Sequence, residues 1–240
     1  MQNFSTVARN RVAGGGGGAF GGNATLAAGC IRYYRFDEAS GTIVDATGNV
    51  DATNNGATYG ATGIINNCLN FDGVNDVVTA SHPTGIKAIS CWVNFDDLSS
   101  ADRPSGLPNT FGDINPGGAT NGIGFYYDGQ GYDYVRAGCK SGSTFSFSDS
   151  MQLSTGTWYN VISSHDGSKI HFYVNGSEIG TGVTCSYTEG TNILNIGMFD
   201  YQNQSQHHLD GRMDEIAIFD IHITPTLASN LYNSGAGLTY

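Results

Sequence analysis

Apolar and polar residues alternate in three short runs in the middle of the chain, at residues 158–164, 169–174 and 177–181. Alternation with a period of two is typical of strands that bury one face. Asp166-Gly167 separates the first two runs, and Asn175-Gly176 separates the last two. Because these dipeptides tolerate the positive φ angles of tight hairpin turns, the pattern predicts a three-stranded antiparallel meander.

Similar short runs, flanked by glycine or other turn-forming residues, occupy most of the remaining chain. They predict strands at 31–36, 69–71, 77–80, 88–95, 122–127, 132–137, 144–147, 193–198 and 212–219. Near the C-terminus, Thr224 and Pro225 are typical of a helix N-cap and first turn, with Gly235 as the stop. The predicted fold is all-β: a two-sheet antiparallel jelly-roll sandwich with one short C-terminal helix and an extended N-terminal arm.

The composition agrees with this fold and argues against several functions. The 240 residues include 35 Gly, 13 Tyr and 12 Phe, and only 13% are charged, as expected for a turn-rich β-protein. A net charge of −11 argues against nucleic-acid binding, which requires concentrated Lys and Arg. No run reaches the roughly 18–20 apolar residues of a membrane helix, and residues 1–11 lack the apolar core of a secretory signal.

The chain contains an odd number of cysteines, without C-x-x-C spacing: Cys30, Cys68, Cys91, Cys139 and Cys185. This argues against a zinc site and against a fully paired disulfide framework. The simplest interpretation is five reduced thiols in a protein made in a cytosol, with one or two disulfides as the alternative.

Residues 1–29 differ from the rest of the chain. They hold two of the ten basic residues and no acid, so they carry +2, while the other 8 basic and 21 acidic residues leave −13 for residues 30–240. Such a glycine-rich segment buries too little apolar surface to fold alone. We expect it to be an assembly arm that docks through Arg9, Arg11 and Phe20 onto a neighbouring subunit, a partner or the body itself; a disordered tail is the alternative.

The order of motifs resembles the laminin-G-like jelly-roll family of the concanavalin A-like lectin/glucanase superfamily. The resemblance covers nearly all of 31–235. Its departures are the N-terminal arm and a long proline-containing loop at 98–121. The segments that carry it are IRYYRFDEASG (31–41), VDATGN (44–49), NNGATYG (54–60), LNFDGVNDVVT (69–79), ISCWVNF (89–95), GTWYNVISSHDGSKIHFYVNGSEIG (156–180), LNIG (194–197), GRMDEIAIFD (211–220) and TPTLASNLYNSG (224–235).

The resemblance implies a structural calcium ion at the edge of the sandwich. In the matching motifs the candidate ligands are Asp37, Asp72 and Asp214, and Asp45 is the next candidate after them. Calcium prefers six to eight oxygens, which acidic strand ends and turn carbonyls supply. The alternative is that Asp37 and Asp72 only cap their own turns.

Catalysis has little support in the sequence. The superfamily's glucanases carry three acids on one strand, whereas alternation here places Asp214, Ile216, Ile218 and Asp220 on one face and Glu215 on the other. The centre of that face is apolar, so we expect no pair of glycosidase acids. The histidines at 165, 171, 207 and 208 are interpreted as surface positions.

Tyrosines surround a predicted turn at residues 128–131. Tyr126, Tyr127, Tyr132 and Tyr134 can stack on sugar faces while Asp128 binds hydroxyls. Cross-strand aromatic packing is the alternative interpretation.

From these features we predict a non-enzymatic binding or structural protein. The specific hypothesis is a phage virion component, made in the host cytoplasm, that decorates a capsid, tail or fibre and contacts host-surface glycans. Its partners would be other virion proteins or copies of itself, engaged through the arm. A free, extracellular carbohydrate-binding lectin is the alternative.

Overall fold

The two predicted hairpin turns join three successive strands at one edge of the larger sheet. Asn175 and Gly176 have φ angles of 48° and 77°, which is why this turn requires Asn-Gly. Val161 pairs with Val174 across the other hairpin, whose turn is at Asp166-Gly167. The computed structural model describes residues 18–98, 107–108, 121–128, 134–142, 144–187, 189–190, 193–201 and 205–240, without the side chains of 127–128, 199–201 and 205–207.

The larger sheet, here the first sheet, is antiparallel and has nine described strands in the order β12-β11-β10-β6-β17-β4-β3, with β1 also paired to β17 and β13 to β11. Its strands are β1 Cys30–Tyr34, β3 Thr58–Thr62, β4 Asn67–Asp72, β6 Ala88–Phe95, β10 Trp158–His165, β11 Lys169–Val174, β12 Ser177–Glu178, β13 Val183–Thr184 and β17 Asp210–Phe219.

A second layer of antiparallel strands faces the first sheet. It contains the runs β14-β5-β2 and β7-β8-β9, and β15 pairs with β16 in a separate hairpin. The bounds are β2 Thr53–Asn55, β5 Val77–Ala80, β7 Gly122–Asp128, β8 Tyr134–Ser141, β9 Thr144–Gln152, β14 Leu194–Ile196, β15 Met198–Tyr201 and β16 Ser205–His208.

The main core lies between the two layers. Phe125 from β7 contacts Phe172 from β11, with their ring centroids 6.4 Å apart, and β8 packs against β10 and β11. Most of the apolar positions predicted by alternation are buried here. The prediction of an all-β antiparallel sandwich is therefore confirmed.

Two short helices cover the outer face of the first sheet. α1 spans Ala24–Gly29 after a 3₁₀ turn at Ala19–Gly22, and α2 spans Pro225–Tyr232. Thr224 caps α2 by accepting a bond from the Leu227 amide, as predicted. Left-handed Asn233 ends the helix, and a 3₁₀ turn at Asn233–Gly235 follows it. No helix in these described ranges is long and apolar enough to cross a membrane.

The N-terminal arm is folded over its last third. Phe20 is 1% exposed and Leu26 is fully buried, and both pack against the first sheet in a second apolar cluster. Phe20 is therefore used within the chain's own body, one of the three docking partners considered for the arm. Arg9 and Arg11 lie outside the described residues, and the role of the arm in assembly stays a prediction.

Candidate functional site

The outer face of β7, β8 and β9 carries a cluster of aromatic and cationic side chains. Alternation sends Phe125 and Val135 into the core, so Tyr126 and Arg136, which pair across the strands, point outward. The Arg136 guanidinium lies 5.0 Å from the Tyr126 ring centroid and 4.2 Å from that of Phe147. These two rings are themselves 4.8 Å apart, so the three side chains form one contact group.

Phe145 extends this group along β9. Its ring stacks on Phe147 at 5.5 Å with an interplanar angle of 7°, and the Lys140 ammonium lies 5.2 Å from its centroid. Phe145 and Phe147 remain half-buried, so they present ring surface that the core does not use. We call Tyr126, Tyr134, Arg136, Phe145 and Phe147 the aromatic face.

A polar cleft of about 660 Å³ adjoins this face, within the size range of small-molecule sites. Its lining includes the exposed side chains of Asp96, Gln152, Ser154 and Thr155. Gln152 pairs directly with Tyr134 across β9 and β8. The cleft and the aromatic face therefore form one continuous surface, with rings at one side and hydrogen-bonding groups at the other.

Carboxylates dominate the electrostatics of the cleft. Asp96 forms an ion pair with Arg212 at 3.2 Å. Burial raises the pKa of the nearby Asp210, and the carboxylates of Asp96, Asp97 and Asp72 raise this pKa further. The cleft thus offers acceptors for hydroxyl groups and repels anions.

The predicted sugar-binding residues have mixed outcomes. Tyr126 and Tyr134 are half-buried members of the aromatic face. Tyr127 and Asp128 belong to β7, but their side chains lie outside the described residues, as does all of Tyr132. The Tyr126–Phe147 contact is an instance of the aromatic packing that was the alternative interpretation. Sugar binding by these tyrosines stays a prediction.

Arg136, Phe145 and Phe147 were not identified from the sequence. The signal was the alternation of residues 144–152, in which Phe145 and Phe147 are separated by one serine. It predicted a strand ending at 147, while β9 continues to Gln152. Alternation assigns these aromatic residues to a strand but does not show which face of the sheet they occupy.

The four predicted calcium ligands do not share one site. Asp45 is buried and accepts bonds from the backbone amides of Tyr33, Thr47, Asn49 and Val50, and from the Thr47 hydroxyl, at 2.7–3.2 Å. Because these donors all bond to the Asp45 carboxylate, its role is to hold the surrounding loop in place.

Asp37 and Asp214 bind one turn, at residues 63–67. Asp214 Oδ2 accepts bonds from the amides of Ile64 and Ile65 at 2.9 and 3.0 Å, and Asp37 Oδ1 accepts one from the Asn67 amide at 3.0 Å. Burial raises the pKa of Asp214 to about 7 against the effect of its backbone donors, and nearby Asp37 raises it further.

Asp72 lies at the other end of β4, where it pairs with Asp210. Five residues separate it from Asn67, beside Asp37, which is about 17 Å along an extended strand. Asp72 Oδ1 accepts bonds from the amides of its own turn, at Val74 and Asn75. Asp72 thus caps its own turn, which is the alternative considered for it, whereas Asp37 bonds the distant turn at residues 63–67.

The predicted faces of β17 are wrong at Asp214. A β-bulge shifts the register between Asp214 and Ala217, and Glu215 within it has a φ of 52°. Ile216 and Ile218 therefore face the main core, while Asp214 and Glu215 both lie on the opposite, outer face of the first sheet. Burial raises the pKa of Glu215 to about 8.

Two cysteines form a disulfide, so the interpretation of five reduced thiols is wrong for this pair. Cys139 on β8 is joined to Cys185 after β13, with their Cα atoms 6.6 Å apart. Cys30, Cys68 and Cys91 are free and buried. Burial raises the pKa of Cys68 to about 12 and those of the other two further, so all three are unreactive thiols.

His165 is buried beside the disulfide, contrary to the prediction of a surface position. In the described chain, the only group of three His, Cys or acidic donors within 4.8 Å of one another is Cys139, His165 and Cys185. The sulfurs are bonded to each other, while His165 Nε2 donates to the Cys185 carbonyl and Nδ1 accepts from the Gly167 amide. In this arrangement no donor atom of the group is available to a metal.

The remaining histidines are only partly at the surface. His208 is buried in β16 with Nδ1 3.1 Å from the Asp76 carbonyl, and the side chain of His207 lies outside the described residues. His171 is half-buried between Asp166 and Glu178, at 3.1 and 2.7 Å.

Comparison with known proteins identifies the fold. Domain 4 of AbnA, a GH43 extracellular arabinanase from Geobacillus stearothermophilus solved in complex with arabinotriose, is 19% identical, with a TM-score of 0.63, over 84% of this chain and 97% of that domain. The sialidase of Trypanosoma rangeli in complex with the inhibitor DANA is 16% identical, with a TM-score of 0.61, over 87% of this chain. This chain spans 33% of that sialidase's length.

No curated protein sequence matches the chain. The family model Laminin_G_3, described as the concanavalin A-like lectin/glucanases superfamily, matches residues 72–227, which include both the aromatic face and the polar cleft. The chain therefore belongs to this laminin-G-like family of the concanavalin A-like lectin/glucanase superfamily.

Proposed function

We propose that the protein binds carbohydrate, without hydrolysing it, through the aromatic face and the polar cleft. The observation that carries this proposal is the continuity of the two surfaces. The half-buried rings of Tyr126 and Phe147 contact each other on these strands, and Tyr134 of the same face pairs directly with the exposed Gln152 of the cleft.

Sugars match this combination because they are amphipathic. A pyranose or furanose ring has an apolar C–H surface that packs on aromatic rings, and a rim of hydroxyls that needs donors and acceptors. Asp96 supplies acceptors, while Gln152 and Ser154 supply both donors and acceptors. The arabinotriose bound to the arabinanase domain supports an oligosaccharide as the ligand class.

The environments of Asp214 and Glu215 on β17 support binding without hydrolysis. A glycosidase needs two carboxyl groups about 5–9.5 Å apart across an open cleft. Asp214 accepts hydrogen bonds from two backbone amides, and Glu215 is buried on the outer face of the first sheet. The expected result is that no reducing sugar is released from any oligosaccharide that the protein binds.

Calcium near Asp37 and Asp214 is a subsidiary part of the proposal. Asp214 Oδ1 is buried without a hydrogen-bond partner, although both Asp37 oxygens already accept bonds. A bound ion would use that free oxygen together with turn carbonyls. Adding EDTA should then lower the melting temperature of the wild-type protein and leave an Asp214→Asn variant unchanged.

The test of sugar binding is an oligosaccharide array that includes arabinotriose and sialylated glycans, followed by calorimetry on the best ligand. Phe147→Ala and Gln152→Ala remove one element each from the two halves of the surface, and each should weaken binding at least tenfold. Tyr59→Phe, on β3 of the other sheet, is the control and should bind normally. Full affinity in both test variants would exclude this surface.

A further inference from the structure

Three side chains of metal-binding type meet at one buried point, where β8 of the second layer packs against β10 of the first sheet. They are Cys139, His165 and Cys185, and their two sulfurs and one ring nitrogen of His165 all lie within 4.8 Å of one another. Cys139 is fully buried, and His165 and Cys185 are each 4% exposed. We call these three residues the sulfur–histidine group.

The backbone holds the His165 ring in place. Its Nε2 donates to the Cys185 carbonyl at 2.9 Å, and its Nδ1 accepts from the Gly167 amide at 3.1 Å. Histidine binds metals as the neutral imidazole, with its orientation set by a hydrogen bond at the other ring nitrogen. Because both present partners are backbone groups, a metal ion has to replace only one weak bond and no ion pair.

Tyr187 is a second observation beside this group. Its ring meets the His165 ring edge-on, with the centroids 5.6 Å apart. Its hydroxyl is buried and has no hydrogen-bond partner, which is costly for a buried polar group. An oxygen donor is therefore present next to the imidazole, in addition to the two sulfurs.

We propose that reduction of the Cys139–Cys185 disulfide converts the sulfur–histidine group into a binding site for a thiophilic divalent cation such as Zn²⁺. Two thiolates and one imidazole are a ligand set of zinc sites, in which a fourth position is taken by water or another oxygen. The two thiolate charges neutralise the cation, so the filled site carries no net charge into the core.

The conversion has two balanced steps. A dithiol reductant transfers two electrons and two protons to the disulfide, the S–S bond breaks, and the reductant becomes a disulfide itself. The cation then accepts lone pairs from both sulfurs and from the imidazole, and the two thiol protons pass to solvent.

The required movement is small. A tetrahedral cation with metal–sulfur bonds of about 2.3 Å holds two sulfurs about 3.8 Å apart, and two reduced sulfurs must separate to a similar distance in any case. The Cα atoms of Cys139 and Cys185 are 6.6 Å apart, near the upper end of the disulfide range of about 4.4–6.8 Å. Side-chain rotation therefore supplies most of the extra separation.

The site links the same elements in both redox states. Cys139 belongs to β8 of the second layer, while Cys185 follows β13 of the first sheet. Disulfides do not persist in a reducing cytosol, so the cation takes over this link there, and the disulfide takes over under oxidising conditions. Zn²⁺ should therefore raise the melting temperature of the reduced protein and leave that of the oxidised protein unchanged.

Cobalt titration of the full chain tests the site. The protein is reduced with a phosphine, which adds no thiol ligand, freed of the reductant and titrated with Co²⁺ without oxygen. The reduced wild type should bind one Co²⁺ with a thiolate-to-cobalt charge-transfer band that Zn²⁺ abolishes. The oxidised protein should show no such band.

Three variants locate the ligands. Cys139→Ser and His165→Ala should each weaken Co²⁺ binding by the reduced protein at least tenfold. Cys68→Ser removes a buried free cysteine outside the group and should bind as the wild type does. Absence of the band in the reduced wild type, or undiminished binding in Cys139→Ser, would overturn the proposal.

X-ray absorption of the reduced, Zn²⁺-loaded wild type covers the case in which the variants do not fold. The expected first shell has two sulfurs at about 2.3 Å and a histidine nitrogen at about 2.0–2.1 Å. A first shell with fewer than two sulfurs, or without histidine, would contradict the assignment.

Discussion

Replacing Glu215 by Gln should stabilise the protein, by an amount that grows with pH. Gln keeps the size and hydrogen-bonding capacity of the side chain but cannot ionise, so it removes the free-energy cost of a buried carboxylate. A raised pKa in an acid lowers stability as pH increases from the unfolded to the folded pKa. For Glu215 that window extends from 4.5 to about 8.

The size of the effect follows from the width of this window. Each pH unit inside it is worth about 1.4 kcal/mol. Relative to wild type, the gain in Glu215→Gln should be below about 1 kcal/mol at pH 5, about 3 kcal/mol at pH 7 and at most about 5 kcal/mol at pH 9.

The assay is urea unfolding of both proteins at pH 5, 7 and 9, followed by tryptophan fluorescence. Because the titration of Asp214 is common to both proteins, it cancels in the difference in unfolding free energy at each pH. A difference that is the same at the three pH values would refute a neutral, buried Glu215. A variant less stable than wild type at pH 9 would refute it as well.

Three further predictions concern stability and covalent structure. Phe20→Ala should cost about 3–5 kcal/mol, the usual effect of truncating a buried phenylalanine, and a chain shortened to begin at Cys30 should unfold at lower urea concentration than one that begins at Gly18. Asp45→Ala should cost about 3 kcal/mol or more, because it leaves several buried donors without an acceptor. Alkylation of the denatured, unreduced protein should label three thiols, and five after Cys139–Cys185 is reduced.

Each of these has a clear contrary result. Equal stability of the two shortened chains would mean that residues 18–29 do not belong to the folded body. An Asp45→Ala cost below about 0.5 kcal/mol, the usual size of a surface substitution, would mean that its loop is held by other contacts. Five labelled thiols before reduction would show that the cysteines are unpaired in solution.

Local patterns were sufficient to predict most of the sheet. The strands at 77–80, 88–95 and 169–174 were predicted with the bounds that they have in the structure, and the Asn175-Gly176 turn has the expected positive φ angles. These elements follow from alternation and turn chemistry within a few residues.

Features that depend on distant residues were not predictable in this way. Asp214 lies on the face opposite to the expected one because a bulge at Glu215 inserts one residue, and alternation alone does not reveal a bulge. Phe20 lies in a glycine-rich segment whose composition favours disorder, and its backbone partner Thr239 is 219 positions away in the sequence. Cys139 and Cys185 are 46 residues apart, and spacing does not determine which cysteines pair.

The central claim is that the aromatic face and the polar cleft bind carbohydrate, and calorimetry with Phe147→Ala tests it most directly. The ligand is the best-binding oligosaccharide from an array that includes arabinotriose and sialylated glycans, with Tyr59→Phe as the control. The account predicts measurable binding by wild type and control, and at least a tenfold loss of affinity in Phe147→Ala with unchanged thermal unfolding of the core. Absence of binding to every oligosaccharide, or undiminished binding by Phe147→Ala, would contradict it.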